Sequence, residues 1–244
     1  MSAPLFLVES LPTGDSTVLD GPEGHHAATV QRLRVGEELL LADGRGGTAE
    51  AVVTAVGRGT LDLTVTTRGS VDAANPRLVV VQGIPKGDRG ELAVQAMTET
   101  GVDEIVPWAA SRSVVQWRGE RGVRARGKWV ATAREAAKQA RRAWLPVVAG
   151  APDESSTAVA RRIAGAAVGY VLHEEASDRL TTVELPDRGE IVLVVGPEGG
   201  IGPAELTAFQ EAGAQPVRLG PSVLRTSTAG VAALAVLATR LLRW

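Results

Sequence analysis

Two loops toward the C-terminal end of the chain hold the residues best suited to chemistry. Residues 194–206 read VVGPEGGIGPAEL and residues 218–230 read RLGPSVLRTSTAG. In each, a glycine-proline break follows a short apolar run and precedes a helix signal. Glycines let a backbone adopt positive φ and approach a ligand closely. Tandem strand–loop–helix units are how α/β proteins offer backbone N–H and C=O groups to a small ligand at the carboxyl ends of strands. Glu198 sits in the first loop, where a carboxylate can accept a proton. Arg225 precedes Thr226 in the second, where a guanidinium, which keeps its proton, can meet an anion or an electron-rich carbonyl oxygen. Each has a plainer reading. Glu198 is then a loop carboxylate bonded to backbone N–H groups, and Arg225 one half of a helix-end or interdomain salt bridge.

The common nucleotide fingerprints are missing. The first loop is spaced G-x-x-G-G-x-G, not G-x-G-x-x-G, no acid follows the second loop to hold a ribose, and no G-x-x-x-x-G-K-[ST] occurs. This disfavours a dinucleotide-dependent dehydrogenase and a P-loop NTPase. The chain has no cysteine, which removes disulfides, thiolate metal sites and a Cys nucleophile. His25-His26 has no third ligand nearby to make a metal site. After Glu211 there is no acidic residue but there are four arginines.

The elements that must position these loops are legible in outline. Residues 191–195, a run of Ile, Val and Leu, read as a strand buried on both faces of a parallel sheet. Pro203 and Glu205 mark the first turn of a helix and Gly213 its cap. Residues 217–219 read as a second short strand. Thr226 to Thr228 supply an N-cap for a helix over 229–242. Further strands are expected at 78–84, 104–107 and 168–172, alternating with helices, which describes an α/β parallel sheet. Residues 1–70 look β-rich, with strands at 39–42, 48–56 and 61–66, turns at Asp43-Gly44 and 57–59, and a short helix over 25–31. Residues 68–77 form a linker, so two domains are expected, 1–70 and 71–244.

At 244 residues, 44% of them apolar and 22% charged, the chain has the make-up of a soluble globular protein with a sizeable core. The start MSAPLFLVES lacks a basic n-region, and the longest apolar run, 231–242, is short and broken by Thr239 and Arg240. A cytoplasmic protein without a membrane span is expected. Net charge is −2, but residues 112–142 hold ten Lys/Arg against two Glu, a local +8 that leaves −10 for the rest. From Trp129 this block reads as a helix. Val130, Ala133, Ala137 and Ala140 make an apolar face, and Arg134, Lys138, Arg141 and Arg142 gather on another side. Such a block reaches a nucleic-acid backbone or is simply a solvated face. Trp108, Trp117, Trp129 and Trp144 frame it as base-stacking platforms or as core.

The two loops, GPEGGIGPAE and LGPSVLRTSTA, resemble the C-terminal signature of SPOUT-class RNA methyltransferases, and within that class the RsmE family. Upstream matches extend the resemblance over nearly the whole chain: Lys86, Asp88-Arg89 and Glu91; Thr98 to Pro107; Ser111-Arg-Ser113; Arg134 to Gln139; and His25-His26, Arg32-Leu-Arg34, Gly36-Glu37-Glu38 and Asp43-Gly44. Ala140 departs from a serine that the family tends to have, and Ser227 from a glutamate.

The resemblance implies a C-terminal SPOUT α/β trefoil-knot domain with a parallel sheet, preceded by a small PUA-like β-barrel domain that holds RNA. It also implies S-adenosylmethionine as cofactor, no metal, a homodimer, and N3-methylation of a uridine in 16S ribosomal RNA, in the decoding region of the small subunit. By the same match the adenosine pocket is formed by the backbones of Leu172, Gly196, Gly200, Ile201, Leu219, Gly220 and Leu224. Arg225 and Glu198 are the catalytic candidates. Arg32, Arg34 and Arg45 of the barrel, with Lys86, Arg134, Lys138 and Arg142, are the RNA contacts. Uridine N3 must lose its proton to attack a methyl, which spreads negative charge over N3 and two carbonyl oxygens. Arg225 would stabilise that charge and Glu198 would take the proton. The absence of cysteine agrees with a heteroatom target, since methylation at a pyrimidine carbon commonly needs a thiolate. Two other readings stay open: a SPOUT ribose 2′-O-methyltransferase on ribosomal or transfer RNA, and a non-catalytic RNA-binding assembly factor.

Overall fold

The computed structural model describes residues 3–150 and 152–244; Met1 and Ser2, the first positions of the leader reading, and Ala151 lie outside the described residues. The chain divides into two compact units, residues 1–73 with 137–145, and residues 74–136 with 146–244.

The first unit is a curled sheet. Its elements are β1 (Leu5–Leu7), β2 (Ser16–Leu19), α1 (Gly21–His25) continued by a π-helical turn (His26–Val30), β3 (Glu38–Ala42), β4 (Gly47–Val56) and β5 (Leu61–Ser70). The strands lie in the order β1-β3-β4-β5-β2, antiparallel except for β1 beside β3. Alternation decides which face is buried: in β5, Leu61, Leu63 and Val65 point inward and Asp62 and Thr64 outward. Register shifts at Glu50/Ala51 and Val53/Ala55 bend the long β4–β5 pair, as bulges do, around a core of Phe6, Leu39, Leu41 and Val53. The short helix expected at 25–31 begins earlier, at Gly21, with Pro22 in its first turn. Residues 143–145 join this unit through Gly46 N–H to Ala143 O at 3.0 Å and Trp144 Nε1–H to Val71 O at 2.8 Å. Trp144 is thus neither a stacking platform nor deep core.

The second unit contains β6 (Arg77–Gly83), α2 (Arg89–Glu99), β7 (Glu104–Trp108), α3 (Gly119–Gln139), β8 (Val147–Val148), α4 (Ser156–Gly165), β9 (Val168–Leu172), β10 (Glu190–Val195), α5 (Pro203–Glu211), β11 (Ala214–Val217) and α6 (Thr226–Arg240). The six strands pair in the order β11-β9-β10-β6-β7-β8, all parallel. β10 shows why its sequence is an unbroken apolar run. Ile191, Leu193 and Val195 enter one core with Val94, Met97, Leu234 and Leu237, while Val192 and Val194 enter the other with Val159, Ile163 and Phe209. Helices α2, α3 and α6 therefore cover one face and α4 and α5 the other.

Helix α3 starts ten residues before the sequence reading placed it. Its buried stripe is Trp129, Ala133, Ala136 and Ala137; Val130 and Ala140 are exposed. Helix α6 starts at Thr226 rather than Ala229, with Arg225 as its N-cap. From the sheet edge at β11 it returns over β10 and β6 to lie against α2. That return over strands laid earlier is consistent with the knotted fold of the resemblance. At the N-terminal ends of the strands, Arg77 and Arg162 each bridge Glu104 and Glu190 at 2.5–3.4 Å.

Candidate functional site

The carboxyl ends of β9, β10 and β11 open into a cleft of about 490 Å³ in the second unit. All seven residues expected at the adenosine pocket line it, as do Glu198 and Arg225. Two loops form its walls, and each is held by identifiable bonds.

The first loop turns at Gly200, where φ is +72° and the N–H donates to Pro197 O at 2.9 Å. It sits hard against the end of β6: a Cβ on Gly83 would lie 2.6 Å from Pro197 N. Thr226, the first residue of α6, fixes it from the other side. Its hydroxyl donates to Gly196 O at 2.7 Å and accepts from Gln82 Nε2 at 2.9 Å. Beyond the loop, Glu205 is 7% exposed. It accepts from Ser111 N and Oγ, Ser156 Oγ and Gly202 N at 2.7–3.0 Å. Burial alone would raise its pKa; the hydrogen bonds from Ser111, Ser156 and Gly202 outweigh burial and hold it below the ordinary carboxylate value.

The second loop is different in kind. No hydrogen bond among the described residues uses the backbone N–H or C=O of Leu219, Gly220 or Leu224. Apolar side chains of Val195, Ile201, Val217 and Ala229 line the cleft beside them. An apolar slot edged by unmet backbone donors and acceptors suits a flat heterocycle that needs both kinds of partner.

The charged groups divide cleanly. Of the four arginines after Glu211, Arg240 donates to Leu180 O and Val183 O, and Arg243 to Asp103 and to the carbonyls of Pro76 and Gly101. Both are structural. Arg218 and Arg225 line the cleft, and the Arg225 guanidinium makes no hydrogen bond or ion pair among the described residues. Glu198 Oε1 accepts from Arg89 Nη1 at 3.1 Å and from Lys86 N at 3.2 Å. Lys86 thus meets the site through its backbone, with its side chain exposed.

The remaining residues expected at RNA lie elsewhere. Arg134 is exposed on α3. Lys138 is buried: its ammonium lies 3.0 Å from Glu23 Oε1, with 7% and 14% of the two side chains exposed. Its place in the expected basic face is taken by a structural ion pair. Arg142 is half-buried, and Arg32 and Arg34 are exposed. Arg45 donates to Glu9 O at 2.7 Å. Among the described residues no group of three or more His, Cys, Asp or Glu is disposed to hold a metal, and no helix is long and apolar enough to cross a membrane. Sequence reasoning missed Arg89, Arg112, Gln82 and Glu205 as parts of the site, although Arg89 and Arg112 fall within the stretches that carried the resemblance.

Comparison with known proteins defines the class. An RNA methyltransferase domain matches residues 73–238 and an RNA methyltransferase PUA domain matches residues 19–66. Ribosomal RNA small subunit methyltransferase E of Mycobacterium bovis is 48% identical over 250 residues, covering 100% of this chain and 94% of its own. The Bacillus subtilis protein of that name is 30% identical, covering 97% and 94%. The Neisseria gonorrhoeae enzyme of that name, solved bound to S-adenosylmethionine, superposes with a TM-score of 0.84 at 26% identity over 98% of both chains. A Legionella pneumophila methyltransferase, also solved with that cofactor, gives 0.86 at 26% identity, again over 98% of both. The chain belongs to the ribosomal RNA small subunit methyltransferase E family.

Proposed function

We propose that this protein is an S-adenosylmethionine-dependent ribosomal RNA methyltransferase whose target is N3 of a uridine in the small-subunit RNA. The observation that carries the reading is the cleft itself: a slot with unmet backbone groups at Leu219, Gly220 and Leu224, beside a guanidinium at Arg225 that makes no hydrogen bond or ion pair among the described residues. The residues present suit an adenosine, whose ring needs an apolar sandwich and whose edge needs both donors and acceptors. Leu172, Gly196, Gly200, Ile201, Leu219, Gly220 and Leu224 would hold it. When bound, S-adenosylmethionine supplies an electrophilic methyl group on a sulfonium.

The protein's own part is to position, to exclude water and to manage charge. The Thr226 hydroxyl locks the first loop to α6, so the floor of the slot and the backbone that carries Arg225 move together. Arg225 is placed to stabilise the negative charge that develops on the uracil carbonyls as N3 loses its proton. Glu198, in the cleft lining, is the carboxylate assigned to receive that proton, and its contact with Arg89 orients it. The first unit and the exposed arginines of α3 hold the RNA, and residues 1–70 act as the RNA-holding module of a cytoplasmic homodimer acting on 16S RNA or the assembled small subunit.

The test is a methylation assay on unmodified small-subunit RNA and on subunits, followed by nuclease digestion and mass spectrometry. Methyl on a uridine base at N3 is expected. Methyl on a ribose would replace this reading with 2′-O transfer, and cofactor binding without transfer to either substrate would leave an assembly factor. Calorimetry is expected to show S-adenosylmethionine binding with no divalent ion present.

A further inference from the structure

Outside the cleft, the second unit contains another cavity, of about 330 Å³, between the first turn of α2 and the N-terminal half of α3. This is at the lower end of small-ligand volumes, roughly 300–1,000 Å³. Its polar lining is nearly all donors. Arg121, Arg124 and Lys128 stand at i, i+3 and i+7 on α3 and so share one face of the helix. Arg121 and Lys128 make no hydrogen bond or ion pair among the described residues. Arg124 lies 4.0 Å from Glu120, with both side chains largely in solvent, a contact worth little. Glu91 is the single acidic residue in the lining.

Trp129 is the second, independent observation. It lines the cavity yet is only 2% exposed, packed edge-to-face on Trp117 at 4.9 Å. Its Nε1–H has no hydrogen-bond partner among the described residues. That nitrogen lies at the first turn of α2, 2.8 Å from where a Cβ on Gly90 would stand, so the glycine leaves the indole edge room. Although the ring is buried, this nitrogen is not among the buried unpartnered atoms, so the N–H is open to meet an acceptor that enters the cavity.

We infer that this cavity is a phosphate clamp that seats a phosphodiester of the substrate RNA beside the methylated nucleotide. Two guanidiniums, an ammonium and an indole N–H, against the one carboxylate of Glu91, give the wall an excess of donors and positive charge that selects an acceptor-rich anion. The position selects RNA. The turn at residues 85–89 is a wall shared by the two cavities: Arg89 lines the methyl-transfer cleft, Gly87 and Gly90 line the clamp. Glu198 grips this turn through Lys86 N–H and Arg89. A strand whose base enters the cleft would pass its backbone over this shared turn toward the clamp. The clamp uses a different set of cations from Arg134 and Arg142, and it rests on the RNA-methyltransferase reading above.

The experiment compares the full-length wild-type protein with the double variant Arg121→Gln/Lys128→Gln and with Trp129→Phe, which removes the N–H and keeps most of the ring. Binding of unmodified small-subunit RNA is measured across a salt series, and S-adenosylmethionine affinity and melting temperature are measured alongside. The double variant is expected to bind RNA about tenfold more weakly, with a salt slope shallower by roughly 0.7 per lost single-strand phosphate contact. Trp129→Phe is expected to lose about tenfold in RNA affinity with no change in salt slope. Cofactor affinity stays at the wild-type value in both. Unchanged RNA affinity and slope in the double variant would overturn the clamp. A parallel fall in cofactor affinity would make the cavity part of the cofactor site and overturn the assignment. Failure of the wild type to bind cofactor or methylate RNA would instead overturn the functional reading, because the clamp is scored by RNA binding alone.

Discussion

Ser111 holds both carboxylate oxygens of Glu205, its N–H donating to Oε1 at 2.8 Å and its hydroxyl to Oε2 at 2.7 Å. The two residues are far apart in sequence, so the pair staples the loop after β7 to the start of α5, next to the first glycine loop. Ser156 and Gly202 complete the shell. Replacing Glu205 by Gln puts an amide among groups that all donate. The expected cost is about 1–3 kcal/mol for the donors left unmet, read as a lower melting temperature. The pH dependence has a definite sign. The folded-state pKa lies below the ordinary value of 4.5, so this carboxylate's contribution is full above the unfolded-state pKa and is lost as pH falls through the folded one. The wild type minus Glu205→Gln difference in stability should shrink on acidification below about pH 4. A difference that stays constant across that range would show that the charge is not what the shell stabilises.

Arg225→Ala should lower methyl transfer by about two to three powers of ten and leave cofactor affinity and melting temperature near wild type. The side chain makes no hydrogen bond or ion pair among the described residues, and the N-cap role at α6 belongs to its backbone carbonyl. Arg225→Lys should also be poor, since a point charge does not reproduce a planar fork. Turnover near the wild-type rate in the alanine variant would remove Arg225 from the reaction.

Lys138 and two arginines of the same stretch, exposed Arg134 and half-buried Arg142, should behave oppositely. Lys138→Ala leaves the buried Glu23 carboxylate without its ammonium, and breaking a buried pair costs about 3–5 kcal/mol. Its melting temperature should fall sharply. Arg134→Glu with Arg142→Glu should instead weaken RNA binding and its salt dependence with a smaller change in stability. Thermal melts and RNA titrations on the same preparations separate the two. A Lys138 variant with wild-type stability would mean that the ion pair with Glu23 adds nothing.

What the sequence made legible follows from what local pattern encodes. The loop after residues 191–195 could be read because an unbroken apolar run, four glycines and a proline at a helix start are all local signals. β1 and β2 could not, because three buried residues and a four-residue strand with one buried position carry no period to detect. The start of α3 was missed because its first turns, GERGVRARGK, hold two interior glycines and no apolar periodicity; what makes them helical is tertiary packing. Lys138 was misplaced for a related reason. A lysine at helical spacing from other cations looks like part of an exposed face, and only the fold supplies the carboxylate, at position 23, that draws it inside.

Gly83 is the site where the second unit leaves least room. It ends β6, and a Cβ there would stand 2.6 Å from Pro197 N, 2.7 Å from Pro197 Cδ and 3.1 Å from Gly196 C. None of these atoms belongs to a side chain that can rotate away, because Pro197 is a ring and Gly196 is backbone. The loop cannot simply retreat either, since Gly196 O is held by the Thr226 hydroxyl and Pro197 O by Gly200 N–H. Gly83→Ala should therefore push the first loop out of register with the second. Overpacking of this kind costs about 1–3 kcal/mol, and S-adenosylmethionine affinity should fall by about tenfold or more, one such decade being 1.4 kcal/mol. Gly165→Ala is the control. It ends α4, and nothing lies within 4 Å of its Cβ position, so both quantities should stay at the wild-type value. Cofactor affinity in Gly83→Ala equal to that of the control would mean that the first loop yields without disturbing the cleft, and that its close seating on β6 has no part in forming the site.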